Sequence, residues 1–198
     1  MEFGGNTGKM ILTGMEKKLR ASLTEERFIH SLNVRDKAIE LAAKYSYNKD
    51  KAAIAGLLHD CARDLSPDVA IDLCRKYNIK TDRITKKQTV LLHAWLGAEL
   101  ARTEYGIYDT DILDAIRFHT FGSRKMNLLA KIIFVADCIE PDNDFDGVEE
   151  IRSKAYNDID EAIILTFDFT LRYIISKGEL IHPVSIDTRN FFISQRKK

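Results

Sequence analysis

The 198-residue sequence contains few of the residues that break or cross-link a chain, with three prolines, ten glycines and three cysteines. The cysteines, Cys61, Cys74 and Cys138, form no C-x-x-C pair, which weighs against a disulfide framework and against a thiolate zinc site. Their odd number, with no secretory leader at the start of the chain, indicates a reducing environment and hence a cytoplasmic location.

Long hydrophobic runs and an excess of one charge are also absent. The most apolar stretch, residues 128–139, is interrupted by Lys131 and Asp137, whereas a membrane span needs roughly 18 uninterrupted apolar residues. Lys plus Arg equals Asp plus Glu at 30 each, while general nucleic-acid binders are typically basic. The sequence therefore predicts no membrane span and no nucleic-acid partner, but it allows a local basic pocket for a small anion.

Helical periodicity fills most of the chain. Thr24 is typical of an N-cap, Asn48 is another, and Ser66 followed by Pro67 is a strong helix start. We find no alternating strand pattern and no hairpin turn signal. The sequence predicts an all-α fold, a compact bundle of seven to ten helices. We assign residues 1–14 to a flexible leader and residues 15–198 to a single domain.

Four of the five histidines and one aspartate fall on apolar stripes of five different predicted helices; they are His30, His59, His93, His119 and Asp137. A buried carboxylate without a partner is very costly, so Asp137 must find a cation or hydrogen-bond donors. One or two metal ions would satisfy all five groups, and imidazole with carboxylate suits iron, manganese or zinc. A helical interaction module whose histidines are structural stays open as an alternative.

The order of His30, the His59-Asp60 pair and Asp137 resembles that of the HD-domain metal-dependent phosphohydrolases. His93 and His119 match the intermediate histidines of the subgroups with larger or two-metal sites. The segments "HSLNV", "LLHDCARD", "LLHAWLGAEL", "AIRFHTFG" and "KGELIHPVSIDTRN" are similar, in sequence order, to those of the bacterial symmetrical diadenosine tetraphosphatases. This resemblance covers about residues 15–192.

The resemblance implies a fold, a reaction and a set of site residues. The reaction is hydrolysis of diadenosine tetraphosphate to two ADP, with iron (Fe2+ or Fe3+) as the metal and Mn, Co or Zn as alternatives. The implied metal ligands are His30, His59, Asp60 and Asp137, and a second metal is an option through His93 and His119. The implied nucleotide contacts are Asn33, Arg63, His93, His119, Thr120, Asn143 and His182. The partner is a small-molecule nucleotide, and the family suggests a homodimer.

Three residues of the segment "HDCARD" have expected catalytic roles. Asp60 could orient the attacking water besides binding metal, and Arg63 could donate a fork of hydrogen bonds to a phosphate. Asp64, one turn after Asp60, is a candidate general acid-base.

One position departs from the family pattern. Asn143, in "IEPDND", stands where the family commonly has the arginine of I-E-P-x-R, so one phosphate-binding cation is missing there. Two alternatives therefore stay open. One is a phosphohydrolase for another nucleotide, such as a nucleoside di- or triphosphate, and the other is a catalytically weak nucleotide-binding sensor.

Overall fold

A computed structural model describes residues 5–196 of the chain. Within that range the chain forms eleven α-helices, one short 3-10 helix (Thr89–Leu92) and no strand, so the all-α prediction is confirmed. The helices are α1 (Gly5–Arg20), α2 (Glu25–Lys44), α3 (Lys49–Leu58), α4 (Pro67–Lys76), α5 (Arg83–Lys87), α6 (His93–Glu104), α7 (Thr110–Phe118), α8 (Leu128–Ile139), α9 (Val148–Ala155), α10 (Ile159–Ser176) and α11 (Pro183–Gln195). None of them is both long and apolar enough to span a membrane.

Two of the three predicted helix starts carry the expected capping hydrogen bonds, and the third, at Ser66, has no side-chain cap bond. The Thr24 hydroxyl accepts the N–H of Arg27 at 3.4 Å, and the Asn48 side chain accepts the N–H of Lys51 at 2.9 Å. Pro67 is the first residue of α4. These bonds satisfy N–H groups that have no partner inside the first helical turn.

The N-terminal segment differs from the expectation. Helix α1 begins at Gly5 and so occupies most of the segment 1–14, which we expected to be a flexible leader; residues 1–4 lie outside the described part of the chain. Leu12 packs against the core, and Met15, three residues later on the same face, is buried in it. This stripe binds α1 to the bundle, and α1 with the short α5 raises the helix count above the seven to ten expected.

Helix α3 lies in the middle of the bundle, and all its residues from Ala52 to Leu58 are buried. It packs closely against α2 because Gly56 has no side chain: a Cβ there would lie 2.8 Å from the Cα of Arg35. The larger of the two hydrophobic clusters in the described residues forms a core that joins buried side chains from Met15 to Phe192. That core agrees with a single domain over residues 15–198, which stays a prediction.

Candidate metal centre

The doublet His59-Asp60 follows the last residue of the buried helix α3. His59 is fully buried and Asp60 is 3% exposed. The Nδ1 atom of His59 lies 2.8 Å from the carbonyl oxygen of Gly56. Because a carbonyl only accepts hydrogen bonds, Nδ1 carries a proton and Nε2 is the ring nitrogen left for other partners. The local backbone therefore presents Nε2 as a potential metal ligand.

Two further histidines repeat this arrangement. Nδ1 of His93 lies 2.6 Å from the carbonyl oxygen of Val90, and Nδ1 of His119 lies 2.7 Å from that of Ile116. In each case the acceptor stands three residues earlier, at the beginning of α6 or at the end of α7. Both imidazoles consequently point Nε2, the nitrogen available to a metal, away from their own backbone.

The first cluster of donor atoms joins α2, α3 and α8. Nε2 of His30 lies 3.2 Å from Nε2 of His59 and 3.0 Å from Oδ1 of Asp137. Nε2 of His59 lies 3.5 Å from the same Asp137 oxygen. Oδ2 of Asp60 completes the set, at 3.9 Å from His30 and 3.7 Å from His59.

The second cluster uses the other oxygen of Asp60. Oδ1 of Asp60 lies 3.2 Å from Nε2 of His93 and 3.5 Å from Nε2 of His119. The two Nε2 atoms are 2.9 Å apart, and the hydroxyl of Thr120 lies 3.1 Å and 3.2 Å from them. Asp60 thus belongs to two groups of ligand atoms that are each compact enough to hold one ion, His30 with His59 and Asp60, and Asp60 with His93 and His119; Asp137 forms a third such group with His59 and His119.

The protonation behaviour of the cluster reflects this concentration of opposite charges. Burial by itself raises the pKa of Asp60, but the charge of His59 and a hydrogen bond from His119 bring that pKa well below its ordinary value. Burial likewise raises the pKa of Asp137, and hydrogen bonds from His30 and His59 lower it well below the usual range. Both carboxylates are therefore ionised at neutral pH.

The pKa of each imidazole depends on its burial and on the carboxylates next to it. Burial lowers the pKa of His30, yet the hydrogen bond and charge of Asp137 raise it to about 9. Burial lowers the pKa of His93, and its bond to Asp60 does not compensate. A proton on His30 thus neutralises the carboxylates in the place where a metal cation would do so.

The donor set fits a metal with nitrogen and oxygen preference. Four imidazole nitrogens and two carboxylates meet there, which suits iron, manganese, cobalt or zinc in a mixed site. Cys61, beside Asp60, directs its Sγ to the carbonyl of Gly97 at 3.5 Å, so a thiolate does not enter the cluster.

A second layer of polar groups holds the ligands. The Glu140 carboxylate is 2% exposed, and its Oε1 lies 3.4 Å from Nδ1 of His30. Its Oε2 accepts the N–H of Asp142 at 2.9 Å and the amide of Asn33 at 3.0 Å. A carboxylate that receives the second ring nitrogen of a ligating histidine fixes its tautomer and orientation.

The clusters form one end of a cavity of about 300 Å³. Arg27 and Arg63 line it next to the ligands, and the guanidinium of Arg27 lies 3.5 Å from Oδ2 of Asp60. Asn143 also lines it, but its amide donates to the carbonyl of Asp137 at 2.8 Å and so caps the end of α8. Two arginines therefore provide positive charge where an anionic substrate would meet the ligands.

The structure brings most of the predicted site residues together. Those at the clusters or on the wall of the cavity are His30, His59, Asp60, Arg63, His93, His119, Thr120, Asp137 and Asn143. Asn33 lies one layer further out, where its amide donates to Glu140 and Asp142.

Two predicted residues lie elsewhere. Asp64 accepts the backbone N–H of Thr24 at 2.7 Å and lines a different surface pocket, so the structure does not place it as a general acid-base. His182 does not line the cavity either. Its Nε2 pairs with Asp82 at 2.7 Å, and its Nδ1 accepts the N–H of Val184, which caps α11.

Sequence reasoning missed Arg27 and Glu140. Arg27 precedes His30 by three residues on α2, and Glu140 follows Asp137 by three residues at the end of α8. Residues at this spacing share a helix face, so a search for polar neighbours of the candidate ligands would have found both.

Comparison with known proteins agrees with this arrangement. The HD domain family model matches residues 27–142, the segment that contains all the candidate ligands. The chain is 39% identical over 179 residues to the "Bis(5'-nucleosyl)-tetraphosphatase, symmetrical" of Halalkalibacterium halodurans, over 90% of this chain and 95% of the relative. It is 36% identical to the protein of the same name from Bacillus subtilis, over 89% of this chain and 94% of that one.

A solved structure shows the same fold. The crystal structure of a "predicted HD superfamily hydrolase involved in NAD metabolism" from Clostridium acetobutylicum matches with a TM-score of 0.89 and 40% identity, over 93% of this chain and 97% of that chain. The chain therefore belongs to the HD-domain family and, within it, to the group of the symmetrical bis(5'-nucleosyl)-tetraphosphatases.

Proposed function

We propose that this protein is a metal-dependent hydrolase that cleaves diadenosine tetraphosphate symmetrically into two molecules of ADP. The observation that carries the proposal is the pair of ligand clusters that share Asp60 beside Arg27 and Arg63. The names of two relatives at 39% and 36% identity support the choice of substrate.

The reaction attacks the centre of the polyphosphate chain. Water adds to the second or third phosphorus, and the bridging P–O bond between these two phosphorus atoms breaks. Each ADP keeps two phosphates, and the water supplies the new oxygen and the proton for the leaving phosphate. Such a reaction depends on charge neutralisation and on alignment of the nucleophile more than on covalent chemistry.

Different residues of the site are assigned to metal binding and to orientation of the attacking water. We assign His30, His59, Asp60 and Asp137 to the first metal, and His93 with His119 to a second one shared through Asp60. Bound metal would polarise a phosphate oxygen and lower the pKa of a water molecule. Asp60 is the group best placed to orient the attacking water, because its carboxylate reaches both clusters.

The arginines are assigned to the phosphates. Arg63 lines the cavity and lies near enough to His93 to contribute to the lowering of its pKa. A guanidinium offers several N–H donors and holds a phosphate more firmly than a neutral group does. The hydroxyl of Thr120, between His93 and His119, is a further polar group at the same end of the cavity.

The position of Arg27 favours a hydrolase over a weak sensor. The sensor alternative rested on Asn143, which stands in place of the family arginine. Arg27 and Asn143 line the same two adjoining pockets, so positive charge reaches this part of the site from α2. The cavity therefore still contains a cationic side chain, that of Arg27, although Asn143 stands where the family has an arginine.

The metal and the location complete the proposal. We propose iron, with Mn, Co and Zn as alternatives of similar ligand preference. A cytoplasmic location is supported by Cys61, Cys74 and Cys138, which are all free thiols.

Product identification tests the function. Ferrous-loaded protein incubated with diadenosine tetraphosphate is expected to release ADP alone. ATP together with AMP would contradict symmetrical cleavage, and no turnover with ferrous, manganous or cobaltous loading would contradict the hydrolase. Parallel incubation with ATP or ADP as substrate distinguishes a nucleoside di- or triphosphate hydrolase.

We also propose a homodimer. Exposed apolar side chains concentrate on α10 and α11, where Ile175 is 65% and Ile186 42% exposed. Both line a groove with Leu171 and Ile181, and its other lining residues are Asp168, Arg172, Arg189 and Asn190. Exposed apolar side chains with polar neighbours of this kind favour association. Sedimentation of the wild type and of Ile175→Lys is the test: a dimer that becomes a monomer is expected, and a monomeric wild type would contradict the proposal.

A further inference from the structure

The cavity is lined by aromatic side chains as well as by the candidate ligands and the arginines. The aromatic residues are Phe134, Phe145, Phe167 and Phe169. Phe134 and Phe167 are 5% and 2% exposed, with ring centroids 4.7 Å apart, and belong to the core. Phe145 and Phe169 are only partly buried, and their rings stack at 3.7 Å with an interplanar angle of 23°.

Phe145 comes from a loop that is tied firmly to the metal centre. The loop follows α8, the helix of Asp137, and also contains Asn143, whose amide caps that helix. Arg152 donates to the carbonyl oxygens of Glu140 at 3.0 Å and Asn143 at 2.8 Å. The backbone that carries Phe145 is thus fixed relative to the metal ligands.

Phe169 reaches the same wall from α10. That helix packs against α8, and the buried ring of Phe167, two residues earlier, contacts Phe134 of α8. Two different elements therefore bring one aromatic ring each to the cavity. Both rings line the cavity and are only partly buried.

We propose that Phe145 and Phe169 form a stacking platform for one adenine base of the substrate. This inference rests on the proposed function of the site. A base has an aromatic face, and stacking on protein aromatics is a principal source of affinity for bases. The cavity volume of about 300 Å³ is at the low end for small-molecule sites, so it takes one nucleotide half and the other half extends through the opening.

Binding of the product with and without its base tests the platform. The metal-loaded wild type, Phe145→Leu and Phe145→Trp are titrated with ADP and with inorganic pyrophosphate. Leucine keeps apolar volume but removes the ring, so ADP affinity is expected to fall roughly tenfold. Pyrophosphate affinity is expected to stay at the wild-type value, and tryptophan is expected to restore ADP binding.

A matched control is Phe191→Leu. Phe191 is a partly buried aromatic that packs on the core and does not line the cavity, so both affinities should stay unchanged. An equal loss of ADP and pyrophosphate affinity in Phe145→Leu would assign Phe145 a structural role and overturn the inference. Unchanged ADP affinity would overturn it as well. If the wild type itself failed to cleave diadenosine tetraphosphate, the proposed function would fail instead, and the binding comparison would still decide the platform.

Discussion

Substitution of Glu140 by glutamine should weaken metal binding without touching a ligand. The two residues have the same shape, but glutamine has one oxygen and one NH2 group. In the wild type both carboxylate oxygens accept: Oε1 faces Nδ1 of His30 at 3.4 Å, and Oε2 accepts from Asn33 at 3.0 Å and from the N–H of Asp142 at 2.9 Å. In the variant, the NH2 of glutamine must therefore face a group that donates a hydrogen bond to Glu140 in the wild type.

Two outcomes follow from the orientation of that NH2. If it faces His30, the ring accepts at Nδ1 and moves its proton to Nε2, the atom that should bind metal. If it faces Asn33 and Asp142, buried donors oppose each other at a cost of about 1–3 kcal/mol. Loss of such a second-layer contact typically reduces metal affinity about 10- to 100-fold, or about 1.4–2.7 kcal/mol.

Metal titration and thermal unfolding measure the effect. The metal-dependent rise in Tm should be smaller than in the wild type by about 3–11 °C at equal free metal, since about 1 kcal/mol shifts the Tm of a chain of this size by about 2–4 °C. The exposed Glu150 on α9 offers the control Glu150→Gln, which should change nothing. Wild-type metal affinity in Glu140→Gln would refute the role of the carboxylate as the group that orients His30.

Three further predictions concern the metal, the phosphates and pH. Chelation of the metal should abolish activity and lower Tm. Asp60→Asn should reduce the amount of metal bound in both clusters, whereas His93→Ala should leave metal binding in the first cluster unchanged. Elemental analysis of the purified variants measures the number of metal ions bound per chain. Arg27→Ala should lower kcat/KM by a factor that corresponds to about 1.5–3 kcal/mol of lost transition-state stabilisation, and Arg27→Lys should lose less. Steady-state kinetics that gave the wild-type kcat/KM for both variants would contradict the role of Arg27 in phosphate binding. Asp82 is slightly buried, which raises its pKa, but hydrogen bonds from the Thr85 backbone and His182 lower it to about 2. Its contribution to stability is therefore complete above about pH 4 and is lost as the pH falls from there towards 2; Asp82→Asn should flatten this part of the Tm–pH curve, and an unchanged curve would show that the pair is irrelevant.

The grouping of the candidate ligands could be predicted because it follows from the spacing of residues along each helix. A histidine or aspartate on an apolar helix stripe must face the interior, and His30, His59 and Asp137 each show this from their own helix. The all-α class followed from the same periodicity and from the caps at Thr24 and Asn48. The spacing of residues along each helix does not predict which helices pack against each other. The order of the HD-type motif residues in the chain indicated that these helices meet.

The predicted residues that lie away from the cavity stand outside regular helices or at their ends. Asp64 follows a turn, and its direction towards Thr24 depends on where α2 begins in space. His182 pairs with Asp82, 100 residues earlier in the chain. No local sequence pattern predicts this pair. Helix α1 was missed because the glycines at the start of the chain obscure the stripe that Leu12 shares with the core.

The bonds that orient the four imidazoles differ in sequence separation, and this sets an order of assembly. His59, His93 and His119 each bond to a carbonyl three residues earlier. These bonds can form as soon as the local turns exist, within about microseconds. The ring of His30 instead leans on Glu140, 110 residues away, and is aligned only after α8 has docked against α2. Opening of that helix pair would release the ring of His30 while the local bonds that orient the other three rings stay in place.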